Sequence, residues 1–225
     1  MNIPEINTYF VHIPKTGGTS VEMFFYRNVC GFPHMKPKAI FQQFMQHYGG
    51  RTVAARYHYG QPTPERVHTG ETQHLSAWQL KQWEDPAFCN ANYTFAFVRN
   101  PWHRFISEVF WKKQSLGAQN HTFHREIQMQ YKEQNYHKMK ILAPHNAQQW
   151  KFVYDENMNL LVDDVFKLEE IDKAEKVLSE KLNMKVKFGW ENKTNKKDYS
   201  EYLTPDLKEK LYPLIKKDLE VFGYE

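Results

Sequence analysis

Residues 9–25, Y-F-V-H-I-P-K-T-G-G-T-S-V-E-M-F-F, constrain the fold most: they read as a buried strand, a tight loop and the first turns of a helix. Residues 9–13 are rich in β-branched and aromatic side chains, Pro14 removes a backbone donor and ends the run, and Gly17-Gly18 relieves the steric limits on the turn. Thr19 or Ser20 is the expected helix cap, Glu22 falls in the first turn, and Val21, Phe24 and Phe25 have the spacing of a core-facing stripe. A glycine loop running into a helix leaves N–H groups unpaired at the positive end of the helix dipole, which makes an anion cradle. Lys15 adds a mobile charge, and Thr16, Thr19 and Ser20 add hydroxyls. The alternative is an ordinary strand-turn-helix with a solvated lysine. The nucleotide-binding pattern G-x-x-x-x-G-K-[ST] is not met, because here the lysine precedes the glycines.

A second junction of the same kind stands at residues 93–111, Y-T-F-A-F-V-R-N-P-W-H-R-F-I-S-E-V-F-W. Its first six residues form a near-continuous apolar run, as expected of a strand buried on both faces of a parallel sheet, so Arg99 falls at the carboxyl end, where open α/β sheets bind ligands. Asn100 suits a cap and Pro101 the first helical position; Phe105, Val109 and Phe110 then pack inward. Arg104, Ser107 and Trp111 share one helical face. Arg99 and Ser107 are placed to reach one phosphate, the guanidinium offering a planar fork of donors. The competing reading is a structural arginine and a solvent-facing serine.

The remainder predicts alternating elements of one α/β domain covering residues 1–225, since 225 residues with 41% hydrophobic content supply one sizeable core. A short helix is expected over residues 38–48, then irregular chain over residues 51–74 carrying His58, His68 and His74. The histidine spacings fit no zinc pattern, so no metal site is expected. Ser76 caps a short helix with Leu75, Trp78 and Leu80 apolar. Residues 112–145 are polar and helical, and His121, His124, His137 and His145 read as solvated. A strand over residues 160–168 leads into a helix over residues 169–182, a short strand over 185–188, a basic loop, and a last helix from Thr204-Pro205 to Phe222. Glu169-Glu170 fits an acceptor contact or carboxylates favoured by the helix dipole. Cys30 and Cys89 support no disulfide framework and read as small buried side chains. The net charge of +4 fits an anionic ligand without naming one, and no nucleic-acid partner is expected. No window approaches a membrane span.

H-I-P-K-T-G-G-T-S at residues 12–20 resembles the 5′-phosphosulfate-binding loop of sulfotransferases that use 3′-phosphoadenosine 5′-phosphosulfate (PAPS), especially the branch of heparan sulfate 2-O-sulfotransferase and other carbohydrate sulfotransferases. R-N-P-x-x-R-x-x-S at residues 99–107 resembles the 3′-phosphate motif of the same enzymes and follows in the same order. H-L-S-A-W-Q-L at residues 74–80 resembles their segment H-x-S-x-x-x-[FL] with the catalytic histidine, although Thr72 stands where that branch has a second histidine. Gln149 and Trp150 loosely resemble a segment near the acceptor cleft. The loop with Lys193, Thr194, Lys196 and Lys197 resembles one that folds over the nucleotide.

The resemblance implies a P-loop-like sulfotransferase fold, a central parallel β-sheet flanked by helices. It implies sulfuryl transfer from PAPS to a hydroxyl of a carbohydrate or glycoconjugate, with adenosine 3′,5′-bisphosphate as product and no required metal. Lys15 would act on the leaving phosphate and His74 as base, with His58 and His68 as the other histidines of that stretch. Thr16, Gly17, Gly18, Thr19 and Ser20 would hold the 5′ end, Arg99 and Ser107 the 3′-phosphate, and Lys193 and Thr194 the nucleotide. A chain starting directly before its first strand fits a cytoplasmic enzyme, or else a catalytic domain cut from an anchored Golgi enzyme. The alternatives are a non-catalytic binder of nucleotide or sulfated glycan on the same fold, and an atypical kinase. The kinase would need a metal-holding carboxylate beyond a strand end, and Asp163-Asp164 lie within a strand pattern.

Overall fold

The computed structural model describes residues 1–34, 74–115, 117–136, 139, 141, 143–189 and 199–225. One four-stranded sheet runs in the order β1 (Asn2–Ile3), β2 (Thr8–Val11), β3 (Tyr93–Val98), β4 (Asp164–Lys167). β2, β3 and β4 are parallel, as expected, and β1 adds a short antiparallel edge. The helices that bear on the site are α1 (Gly18–Asn28), α2 (Ala77–Gln82), α3 (Pro86–Cys89), α4 (Pro101–Ser115), α5 (Phe123–Tyr136), α6 (Trp150–Val153), α7 (Ile171–Lys181) and α8 (Pro205–Phe222).

The two-residue period of the strands divides the core. Phe10, Phe95 and Phe97 point to one face, where they join Val21 and Phe25 of α1 and Ala174 and Leu178 of α7. Tyr9, Val11, Ala96 and Val98 point to the other, against Ala77 and Leu80 of α2, Phe88 of α3 and Phe152 of α6. Both faces are therefore covered, which is why every residue of β3 is buried. Each fully buried phenylalanine contributes about 1.5–3 kcal/mol. A one-residue slip of β3 would exchange the phenylalanine face for the alanine and valine face, so the register is fixed. A third cluster joins Phe105, Ile106 and Val109 of α4 to Leu211, Leu214 and Ile215 of α8.

Several expected boundaries move. The strand expected over residues 160–168 is a ladder only at Asp164–Lys167, and Leu160 is exposed. Asp163 explains the late start: its Oδ2 accepts from both the N–H and the hydroxyl of Thr94, at 2.7 Å each, capping the amino end of the ladder. A 3-10 turn over Leu168–Glu170 precedes α7. Residues 185–188 form no strand; Val186 and Phe188 still enter the core, with the Phe188 N–H donating to Glu175. Cys30 is buried as expected, whereas Cys89 is exposed. The helix expected over residues 38–48 lies outside the described residues. Among the described residues, no helix is long and apolar enough to cross a membrane.

Candidate active site

The chain leaves β2 at Val11 and turns within seven residues into α1. Thr16 is fully buried and its hydroxyl donates to Ile13 O at 2.9 Å, closing the loop on itself. Lys15 takes the left-handed φ of +68°, which side-chain-bearing residues rarely adopt, and Gly17 takes +85°. Gly17 is the N-cap of α1, and no side chain caps the helix; Thr19 and Ser20, expected as caps, lie inside the first turn. As a result no described residue accepts from the N–H groups of Thr16, Gly17, Gly18 or Thr19. A Cβ on Gly18 would fall 2.0 Å from His12 Nε2, so only glycine lets the helix start rest on this imidazole. His12 is itself fixed, its Nδ1–H donating to Glu22 Oε1 at 2.9 Å while the ring stacks on Phe10.

The second junction is locked by side chains. Gln149, fully buried, accepts from Arg99 N–H at 2.9 Å and donates to Arg99 C=O at 2.8 Å, pairing with it as a neighbouring strand would. The N–H groups of Gln149 and Trp150 donate to Asp218 of α8, both at 2.9 Å. Burial pushes the Asp218 carboxyl pKa up, although these two N–H groups pull it down. Asn100 caps α4 as expected, its Oδ1 accepting from Trp102 and His103, and its own N–H donates to Glu169. The Arg99 guanidinium donates to Lys15 O at 3.4 Å and lies over the Tyr199 ring at 5.0 Å, so the two junctions meet. Arg104 turns inward and donates to Pro14 O and Ala147 O, each at 2.9 Å. Ser107 is buried between Arg104 and Trp111 on the α4 face that meets the loop, and no described residue hydrogen-bonds it.

Four titratable side chains, His74, His145, Glu108 and Lys15, gather at the loop. His74 Nδ1 lies 2.9 Å from His12 O; a carbonyl only accepts, so Nδ1 carries the proton and Nε2 keeps its lone pair. Burial, reinforced by the His12 and His145 rings, holds the His74 pKa well below the ordinary histidine value. His145, expected to be solvated, stacks on Trp111 at 4.4 Å and meets the His74 ring edge-on at 5.1 Å. Its Nδ1–H donates to Glu108 Oε2 at 2.8 Å. Burial pushes the Glu108 carboxyl up, but His145, Lys112 and Lys15 outweigh it and hold the pKa below the usual range. The Lys15 ammonium lies 5.2 Å from the centre of the same Trp111 ring. His121 is also corrected: it is buried and bonded to Glu126 at 2.7 Å, while His124 is exposed and His137 lies outside the described residues.

The model of the sulfotransferase family matches residues 3–225. The chain belongs to the sulfotransferase family. No curated protein and no solved structure matches it.

Within this sulfotransferase fold, Lys15, Thr16, Gly17, Gly18, Thr19, Ser20, His74, Arg99 and Ser107 converge on the carboxyl edge of β2 and β3. His58, His68, Lys193, Thr194, Lys196 and Lys197 lie outside the described residues. Asp163 and Asp164 sit at the opposite, amino edge, where Asp164 accepts from the Tyr93 hydroxyl. Glu169 accepts from the Asn100 N–H and the Tyr224 hydroxyl, and Glu170 from Lys173. Gln149 serves Arg99 rather than an open cleft. The place of His145 is not legible in the sequence because its partner lies far along the chain, His145 and Glu108 being 37 residues apart.

Proposed function

We propose that the protein transfers a sulfuryl group from PAPS to a hydroxyl of a carbohydrate or glycoconjugate. The observation that carries this reading is the run of N–H groups from Thr16 to Thr19 at the start of α1 from which no described residue accepts, beside Lys15 and Arg99, in a chain of the sulfotransferase family. Consecutive N–H groups at a helix start, an ammonium and a guanidinium are a donor set suited to phosphate and sulfate oxygens. When bound, PAPS supplies a sulfuryl group carried on a phosphate leaving group.

The N–H groups of residues 16–19, with the Ser20 hydroxyl, hold the 5′-phosphosulfate. Lys15 places its ammonium against charge developing at the bridging oxygen; loss of a positioned donor of this kind costs roughly 100-fold or more in rate. Arg99 and Ser107 hold the 3′-phosphate, with Lys193 and Thr194 as further contacts to the nucleotide. His74 Nε2 takes the acceptor proton, supported by its neutral state and by the proton fixed on Nδ1. The carbohydrate acceptor rests on the resemblance of the two loops and of residues 74–80 to carbohydrate sulfotransferases.

Calorimetry with adenosine 3′,5′-bisphosphate, adenosine 5′-phosphate and ATP tests the proposal. The expected result is tight binding of the bisphosphate that weakens at least ~10-fold without the 3′-phosphate or in Arg99→Ala, as loss of a charge-assisted hydrogen bond implies. Binding of ATP with Mg²⁺ in preference, indifferent to a 3′-phosphate, would overturn it in favour of a kinase or a simple nucleotide binder.

A further inference from the structure

We infer that His145, oriented by Glu108, is a second catalytic base of this site, the group on which the acceptor proton comes to rest after His74; the inference rests on the sulfuryl-transfer reading. His74 alone makes an incomplete base. It is 7% exposed, its only hydrogen bond to a described residue is to a carbonyl, and two further imidazoles face it. Protonation at Nε2 would leave a buried cation with no bonded carboxylate, which is costly.

His145 supplies what His74 lacks. Its ring touches His74 edge-on, its side chain is 26% exposed, and its Nδ1–H is anchored on a carboxylate that is itself 1% exposed. That anchor leaves the Nε2 lone pair available, since no described residue bonds Nε2, and it compensates the imidazolium once formed. Stacking on Trp111 holds the ring plane, and Lys15 packs on the same indole, so the base and the leaving-group cation are positioned by one side chain. The charged and titratable groups facing this imidazole are Lys15 from the loop, Glu108 and Lys112 from α4, and His74 with His12 behind it. Beyond that shell Glu126 of α5 bonds both Lys112 and His121.

In the transfer, the acceptor O–H electrons form the new O–S bond as the proton passes to His74 Nε2 and on to His145 Nε2, which later releases it to water. The bridging S–O bond breaks with its electron pair on the phosphate oxygen beside Lys15.

The test compares wild type, His145→Ala and Glu108→Gln for release of adenosine 3′,5′-bisphosphate from PAPS, with water and with methyl glycosides as acceptors. Expected for His145→Ala is a kcat about 100-fold lower or more, with unchanged calorimetric affinity for adenosine 3′,5′-bisphosphate. Added imidazoles should restore turnover in proportion to their basicity, which mere refilling of a hole would not produce. Ring NMR of the ligand-free protein gives a readout independent of turnover: the His145 Nδ1–H proton, donated to the Glu108 carboxylate, should resonate far downfield and move upfield in Glu108→Gln. Wild-type kcat in His145→Ala, or a loss that follows only lost bisphosphate binding, would overturn the inference. If wild type neither binds the bisphosphate nor releases it, the sulfuryl-transfer reading fails first and the inference falls with it.

Discussion

At the β2–α1 junction the N–H groups of Thr16, Gly17, Gly18 and Thr19 meet no described acceptor, whereas at the β3–α4 junction every first-turn donor is taken. Pro101 has no N–H, Trp102 and His103 donate to the Asn100 side chain, and Arg104 donates to Asn100 O. Both junctions stand at the same edge of the sheet and both open a helix. The first omits a cap and presents backbone; the second caps itself, is pinned by Gln149 and Glu169, and presents only the Arg99 side chain. An uncapped start costs about 1 kcal/mol in helix stability. We propose that the junction which leaves that stabilisation unused offers its donors to a ligand, while the capped one holds its cation in place.

The largest effect that can break this contrast is Gly18→Ala. His12 cannot yield to the new Cβ, being bonded to Glu22 and stacked on Phe10, so overpacking should cost about 3 kcal/mol. A melting temperature lowered by roughly 6–12 °C is expected, together with loss of adenosine 3′,5′-bisphosphate binding. A variant that melts and binds like wild type would show that the helix does not rest on His12.

Acid should also act on the first junction, through His74. Its folded pKa lies below the unfolded value because of burial, so above the unfolded value it is neutral in both states and contributes no pH dependence. As pH falls below about 6.5 the unfolded chain takes up a proton that the native site refuses, and stability declines with a slope of up to about 1.4 kcal/mol per pH unit. Urea midpoints for wild type and His74→Gln across pH 5–7 should differ by that one-proton slope; parallel curves would place a charged His74 in the native protein.

The smallest effects sharpen the comparison. Asn100→Ala should lose about 1 kcal/mol as a true cap, and Thr19→Ala only a few tenths, because Thr19 lies inside the first turn and does not cap α1. Urea unfolding of the two variants checks the order, and a reversed order would mean that the caps are assigned to the wrong junction.

What was legible in the sequence was local. The apolar run of β3, Asn100-Pro101 at the start of α4, Ser76 capping α2 and Thr204 capping α8 all follow from adjacent residues, and each stands as expected. The hydroxyl residues after the glycines suggest a cap too late for α1, since the left-handed φ at Gly17 already makes the turn. What stayed hidden joins distant parts of the chain: His145 with Glu108 across 37 residues, and Gln149 with Asp218 across 69. Such contacts are set by how α4, α6 and α8 pack, and no spacing in the sequence encodes that packing.

The most direct measurement is a titration of ¹⁵N-labelled protein with adenosine 3′,5′-bisphosphate, followed by amide chemical shifts. The account predicts large downfield shifts for Thr16, Gly17, Gly18 and Thr19, with the amides of Trp102, His103 and Arg104 nearly unmoved. Saturable binding that shifts the α4 amides and leaves residues 16–19 in place would contradict it.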